Sequence, residues 1–220
     1  MLLENYLLRE PKNVHLSFKI ICIVKKICVF CGSSMGVKSA YKEAAVALGI
    51  ALAERQDELI YGGANVGLMK VLAETMMQKG GRVVGIMPHH LIRKEVAHNG
   101  IDLMHEVQSM AERKELMVEL SDAFIAMPGG FGTLDEISEI LTLNQLRIAD
   151  KPIALLNIEG YFDHLLAFLD HGVKEGFIRP EHRENIIVSD DPFKLPALLE
   201  AYRPVEIGKW IEDIKQESSL

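Results

Sequence analysis

From Ala126 to Glu136 the chain reads Ala-Met-Pro-Gly-Gly-Phe-Gly-Thr-Leu-Asp-Glu, an apolar strand-like run that breaks into glycines and re-emerges as a helix. Few stretches restrict a fold more. Glycine has no Cβ to keep a ligand off the backbone, and the N–H groups at a helix start, with the dipole behind them, attract an anion. Thr133 adds a hydroxyl donor. The strand–turn–helix order therefore predicts a phosphate site at a corner of an α/β sheet. The acidic pair Asp135 and Glu136 directly behind the loop is unusual company for a phosphate. Either a carboxylate has chemistry to do there, or the acids simply favour a helix N-terminus.

The loop matches neither common phosphate pattern. A P-loop needs a lysine after its last glycine, and the dinucleotide fingerprint needs a third glycine where this chain has Asp135. Nucleoside triphosphate hydrolysis and hydride transfer are disfavoured accordingly.

From Lys26 onward, short β-rich runs alternate with amphipathic stretches. This is the pattern of an α/β protein: a Rossmann-like, doubly wound parallel sheet flanked by helices on both faces. Predicted strands are Ile27–Cys31, Glu58–Tyr61, Arg82–Met87, Asp102–Glu106, Asp122–Met127, Ile153–Asn157 and Asn185–Val188. Helices are predicted over Ser39–Arg55, from the Gly62–Met69 turn onward, and over Ser109–Leu120, Thr133–Arg147, Tyr161–Glu175 and Pro192–Ala201. Ser109 and Glu112 have capping-box spacing, and Leu91–Gly100 has no clean periodicity and reads as a loop. Two further small-residue turns, Gly32-Ser33-Ser34 and Gly62-Gly63-Ala64-Asn65, end the first two strands. In open α/β sheets ligands bind at the carboxyl ends of strands, so Gly32, Ser33, Gly63 and Asn65 are additional loop contacts for a nucleotide or sugar phosphate.

With 220 residues, 49% of them hydrophobic, the chain has material for one sizeable core. Residues 26–203 are expected to form the nucleotide-binding catalytic domain, with an N-terminal extension at 1–25 and a tail at 204–220. A net charge of −7 without a Lys/Arg-dense run argues against nucleic acid as a partner. The apolar run Leu16–Val24 is interrupted by Lys19, followed by Lys25-Lys26 and too short to span a bilayer, so neither a signal peptide nor a membrane partner is expected. Three cysteines, Cys22, Cys28 and Cys31, suit a reducing cytoplasm. Cys28 and Cys31 spell C-x-x-C, but on a strand they face opposite sides and are expected to pack in the core. The histidines offer only the pair His89-His90 and no ligand spacing, so no metal and no cofactor are expected.

Two motifs together resemble a known family. Pro128–Glu136 is similar to the PGGxGTxxE motif of the LOG (lonely guy) proteins, and Met110-Ala-Glu-Arg113-Lys114-Glu-Leu-Met117 resembles their M-x-x-R-K-x-x-M. Val29–Ser34, Tyr61–Met69 and Asp150-Lys-Pro152 match as well, so the resemblance runs from about Lys26 to Val188. It implies a homodimeric, cytoplasmic enzyme that cleaves the N-glycosidic bond of a nucleoside 5′-monophosphate, characteristically a cytokinin riboside 5′-monophosphate and often AMP, to free base and ribose 5-phosphate. By position it places the catalytic pair on Arg113 and Glu136. Substrate contacts fall on Glu95, Arg113, Lys114, Gly129, Gly130, Phe131, Gly132, Thr133, Leu134, Asp135 and Thr142. Departures occur at Asp135, where Glu is common, at Lys70, where Gly is usual, and at Leu143-Asn144, which replace a frequent Trp-Ala.

Breaking a ribosyl C–N bond builds positive charge on the sugar and negative charge on the base. A carboxylate near the anomeric carbon can stabilise that cation and orient or deprotonate water, the role expected of Glu136. Arg113 could bind substrate oxygens or orient Glu136. The alternative reading is a non-hydrolytic nucleotide or cofactor carrier resembling molybdenum-cofactor carrier proteins. Members of the family are often labelled lysine decarboxylases, an activity that needs a pyridoxal phosphate lysine, and no lysine stands where it would serve.

Overall fold

The computed structural model describes residues 26–92 and 96–204. Cys22, Glu95, the extension at 1–25 and residues 205–220 of the tail lie outside the described residues.

Seven strands form one sheet: β1 (Lys26–Phe30), β2 (Glu58–Tyr61), β3 (Val83–Pro88), β4 (Leu103–Val107), β5 (Ala123–Ala126), β6 (Ile153–Leu156) and β7 (Ile186–Ser189). Their order is β4-β3-β2-β1-β5-β6-β7, and every pairing is parallel. The inner strands are nearly continuous apolar runs because both faces are covered, as a parallel sheet requires. Helices α1 (Ser39–Glu54), α2 (Gly67–Gln78) and α8 (Leu195–Ala201) bury Leu48, Leu72 and Leu199 against one face. Helices α4 (Met110–Leu120), α5 (Phe131–Gln145) and α6 (Asp163–Lys174) pack Met117, Ile137 and Leu166 on the other. The expected doubly wound sheet is thus present.

Strand β1 shows the alternation most clearly. Ile27, Val29 and Cys31 join the α1/α2 side, while Cys28 and Phe30 join the α4/α5 side. The two thiols therefore lie in different halves of the core, and burial raises both pKa values, with the nearby Glu136 charge adding to the effect.

Several boundaries differ from the sequence expectation. Helix α5 begins at Phe131, two residues before the expected Thr133, because Gly130 takes the extended N-cap conformation (φ −98°, ψ −150°) and accepts the Leu134 N–H at 3.1 Å. Two short helices, α3 (His89–Ile92) and α7 (Pro180–Glu184), fall where the sequence shows too few turns for periodicity to register. Helix α6 starts at Asp163, after a 3-10 turn at Ile158–Gly160 in which Glu159 and Gly160 have φ of 54° and 68°. Helix α8 starts at Leu195 instead of Pro192. The Ser109 half of the expected capping box of α4 forms, with Ser109 Oγ accepting from the Glu112 N–H at 3.1 Å, while the Glu112 carboxylate takes the N–H of Gln108, one residue before the cap, at 2.7 Å.

Candidate active site

From β1 the chain winds out to β4 and then returns to β5 beside β1, so the winding reverses between β1 and β5. At such a switch point the turns on either side diverge and leave a crevice at the carboxyl ends of the strands. The glycine turns meet there. The Gly32 N–H donates to Pro128 O at 3.0 Å, tying the β1 turn to the β5 turn, and Leu68 N–H donates to Gly32 O at 3.1 Å, bringing in the start of α2. That second approach depends on Gly67 (φ +55°), where a Cβ would lie 2.3 Å from the carbonyl carbon of Ser33.

The crevice holds a cavity of about 190 Å³. Gly130, Phe131, Gly132 and Thr133 form one wall, Gly32 and Ser33 another, and Arg113 and Glu136 the floor. Gly129 must be glycine for contact reasons: a Cβ there would sit 2.1 Å from Thr133 Oγ1. At Gly130 and Gly132 a Cβ would meet nothing within 4 Å. Gly130 gives α5 no side-chain cap, so the leading N–H groups of α5 stand at the cavity wall with the helix dipole behind them.

Glu136, one turn into α5, is 9% exposed and lies 3.6 Å (Oε1) from Arg113 Nη1. Arg113 comes from α4, which packs over β3, and its Nε donates to Ile86 O at 3.0 Å. The guanidinium lies so close over the β2 turn that a Cβ at Gly62 would be 2.2 Å from Nη2. Burial pushes the Glu136 carboxyl up to about 7; Arg113 and Lys114 pull it down, while Asp135 and Glu139 push it further up. Desolvation outweighs the arginine, which leaves the carboxyl poised near neutrality.

The structure thus brings together Gly32, Ser33, Arg113, Gly130, Phe131, Gly132, Thr133 and Glu136 around one cavity. Glu95 lies outside the described residues, and the other expected positions are not part of the cavity's lining. Lys114 pairs with Asp135 (3.1 Å) and Glu139 (2.8 Å) and is not part of the lining of this cavity; its pKa is raised, chiefly by the Glu139 bond. Gly129 lies behind the wall, beneath Thr133. Leu134 is partly exposed, and Thr142, about three turns along α5, donates its hydroxyl to Ser138 O at 2.8 Å. Gly63 (φ +76°) and Asn65 shape the β2 turn: Gly63 O accepts from His98 N–H at 2.9 Å, and Asn65 N–H donates to Val96 O at 2.8 Å. Gly62, Met69, Phe30 and Cys31 also line the cavity. All four fall inside the family-like stretches Val29–Ser34 and Tyr61–Met69, but only Gly62, as the first glycine of its turn, stood out by residue type alone. Phe30 and Cys31, at the end of β1, and Met69, in the first turn of α2, reach the cavity only through the tertiary fold.

No lysine lines the cavity, and Lys114 is held between two carboxylates outside it. The residues present do not fit pyridoxal phosphate, whose Schiff base needs an amine facing the cofactor. Among the described residues no cluster of His, Cys, Asp and Glu could hold a metal ion, and no helix is long and apolar enough to cross a membrane.

A doubly wound parallel sheet with glycine turns, a helix start and a buried Arg–Glu pair at its switch point defines a Rossmann-like α/β protein. A family model described as "possible lysine decarboxylase" matches residues 69–199. A probable cytokinin riboside 5′-monophosphate phosphoribohydrolase of Oryza sativa subsp. japonica is 47% identical over 181 residues, 82% of this chain and 80% of the relative. Two cytokinin riboside 5′-monophosphate phosphoribohydrolases of Arabidopsis thaliana are 45% and 46% identical, each over 82% of this chain and 84% of the relative. The chain belongs to this family, that of the LOG phosphoribohydrolases. Among solved structures, a molybdenum cofactor binding protein of Rippkaea orientalis superposes with a TM-score of 0.63 at 24% identity, over 81% of this chain and 96% of that one. The molybdenum cofactor carrier protein of Chlamydomonas reinhardtii gives 0.61 at 20%, over 81% and 97%. At these identities the likeness establishes the shared fold.

Proposed function

We propose that this protein hydrolyses the N-glycosidic bond of a nucleoside 5′-monophosphate, a cytokinin riboside 5′-monophosphate or AMP, to free base and ribose 5-phosphate, and that it acts in the cytoplasm as a homodimer. The observation that carries the reading is the buried Glu136, 3.6 Å from Arg113 and one turn behind an open helix start. A carrier has no use for an acid in that place.

In this reading the 5′-phosphate is held by the leading N–H groups of α5, by Thr133 and by the Gly32-Ser33 turn. Anchoring the phosphate fixes the ribose, so binding energy from a non-reacting group orients the anomeric carbon over Glu136. As the C–N bond breaks, the ionised carboxylate stabilises the positive sugar and takes a proton from the attacking water. The water oxygen bonds to the anomeric carbon, the bonding electrons leave with the base, and the base picks up a proton. Of the two roles open to Arg113, the geometry favours support of Glu136. Its Nε is committed to Ile86 O, and Nη1 faces the carboxylate.

Incubation with AMP and with isopentenyladenosine 5′-monophosphate, followed by chromatography for free base, tests the assignment. Base release from either supports it; release only from nucleosides or triphosphates refutes it. Glu136→Gln is expected to abolish base release while nucleotide binding stays within about threefold, since the amide keeps the shape but cannot accept a proton. Normal AMP hydrolysis by that variant removes Glu136 from the mechanism. Light scattering of the purified protein checks the dimer.

A further inference from the structure

Tyr161 stands outside the cavity and lines none of it, yet its hydroxyl donates to the carbonyl oxygen of Gly129 in the anion loop. The consequence follows from the peptide group. The described peptide bonds are all trans, and in a planar trans peptide the C=O and the following N–H point in opposite directions. Holding Gly129 C=O toward Tyr161 therefore turns Gly130 N–H the other way, and Gly130 is a residue of the cavity wall. Without that bond the Gly129–Gly130 peptide lies between two residues with no side chains, the pair for which a rotation of the plane is cheapest. A rotated peptide would aim a carbonyl oxygen where an anion sits.

The platform carrying Tyr161 is well braced. Asn157 donates its side-chain amide to Asp163 Oδ1 at 2.7 Å and accepts the Phe162 N–H at 2.7 Å. The left-handed Gly160 passes so close to Asp163 that a Cβ there would meet Oδ2 at 2.4 Å. The Tyr161 ring packs edge-on against Tyr41 of α1 (centroids 5.7 Å) and against Phe162 (5.1 Å). Lys38 Nζ reaches Glu159 at 3.3 Å across the same gap. The turn after β6 is thereby joined to the chain that follows the β1 turn, and it reaches the anion loop through the Tyr161 hydroxyl.

We propose that Tyr161 is a positioning residue for phosphate recognition, fixing the Gly129–Gly130 peptide so that Gly130 N–H faces the phosphate. The inference rests on the reading of this cavity as the 5′-phosphate site. Its test is Tyr161→Phe, which removes the donor and keeps the ring. Calorimetric titration with inorganic phosphate and with ribose 5-phosphate is expected to show roughly five- to tenfold weaker binding, the scale of one lost hydrogen bond. KM for the nucleotide should rise by a similar factor, with kcat within about twofold. Site-specific 3-fluorotyrosine, which keeps the hydroxyl donor, should retain the wild-type phosphate affinity. Lys38→Ala cuts only an exposed ion pair and should also retain it. Unchanged phosphate binding in Tyr161→Phe, an equal loss in Lys38→Ala, a loss confined to kcat, or a wild-type protein that binds neither phosphate probe would overturn the proposal. Because the binding arm needs no turnover, absent base release by the wild type would sink the hydrolase reading and leave the Tyr161 result standing.

Discussion

Burial that lifts the Glu136 carboxyl to about 7 makes its protonation state change across the physiological range. If the ionised form is the active one, kcat/KM should climb on the acid side with a midpoint near pH 7, and 13C NMR of the labelled carboxyl in the free protein should titrate at the same place. Stability moves the other way. The folded state holds a proton on Glu136 that the unfolded chain releases near pH 4.5, so its contribution is intact below that value and is lost as pH rises through about 7. Glu136→Gln should therefore stabilise the fold at pH 8 by on the order of 1–3 kcal/mol, seen as a higher melting temperature, with little effect at pH 4; equal effects at both values would contradict the burial argument. Gly62 is the companion case. Its missing Cβ leaves room for Arg113 Nη2, so Gly62→Ala should push the guanidinium off Glu136 and lower kcat/KM roughly 100-fold. The melting temperature should hardly change, because the displaced atoms end a flexible side chain. Retained activity would show that Arg113 tolerates another pose.

Individual elements matter here by where they aim these side chains. Helix α4 carries Arg113, and its start is set by the Ser109–Glu112 pair. Ser109→Ala should cost about 1 kcal/mol in denaturant unfolding, and activity should fall further than stability if the first turn frays, since Arg113 N–H bonds to Ser109 O at 3.1 Å. A variant that loses stability alone would separate the cap from the site. Most elements were legible because their signals are local: Ser-x-x-Glu for α4, glycine corners for α2 and α5, continuous apolar runs for β5 and β6. The turn before α6 was not legible. The left-handed Glu159 is held by a braced loop and has no sequence signal of its own.

At the scale of the whole molecule, the site exists because one sheet reverses its winding between β1 and β5. Those strands run through the core, where Phe30 and Phe124 stack 5.8 Å apart and pack with residues of α4 and α5. Phe124→Ala should cost about 3–5 kcal/mol and, by loosening Phe30 at the cavity, weaken nucleotide binding as well. Unfolding should remain a single transition, since both faces share the same strands; a transition split between the two sides would mean they fold independently. By itself the sequence determined the alternation of strands and helices, the glycine corners, and the two motifs that carry Arg113 and Glu136, because propensity, capping and period act over a few residues. Only the tertiary structure decided that the two residues face each other, that Lys114 pairs with Asp135 and Glu139, and that Tyr161 reaches Gly129. Those facts depend on strand order and side-chain direction across segments far apart in the chain, which no local pattern encodes.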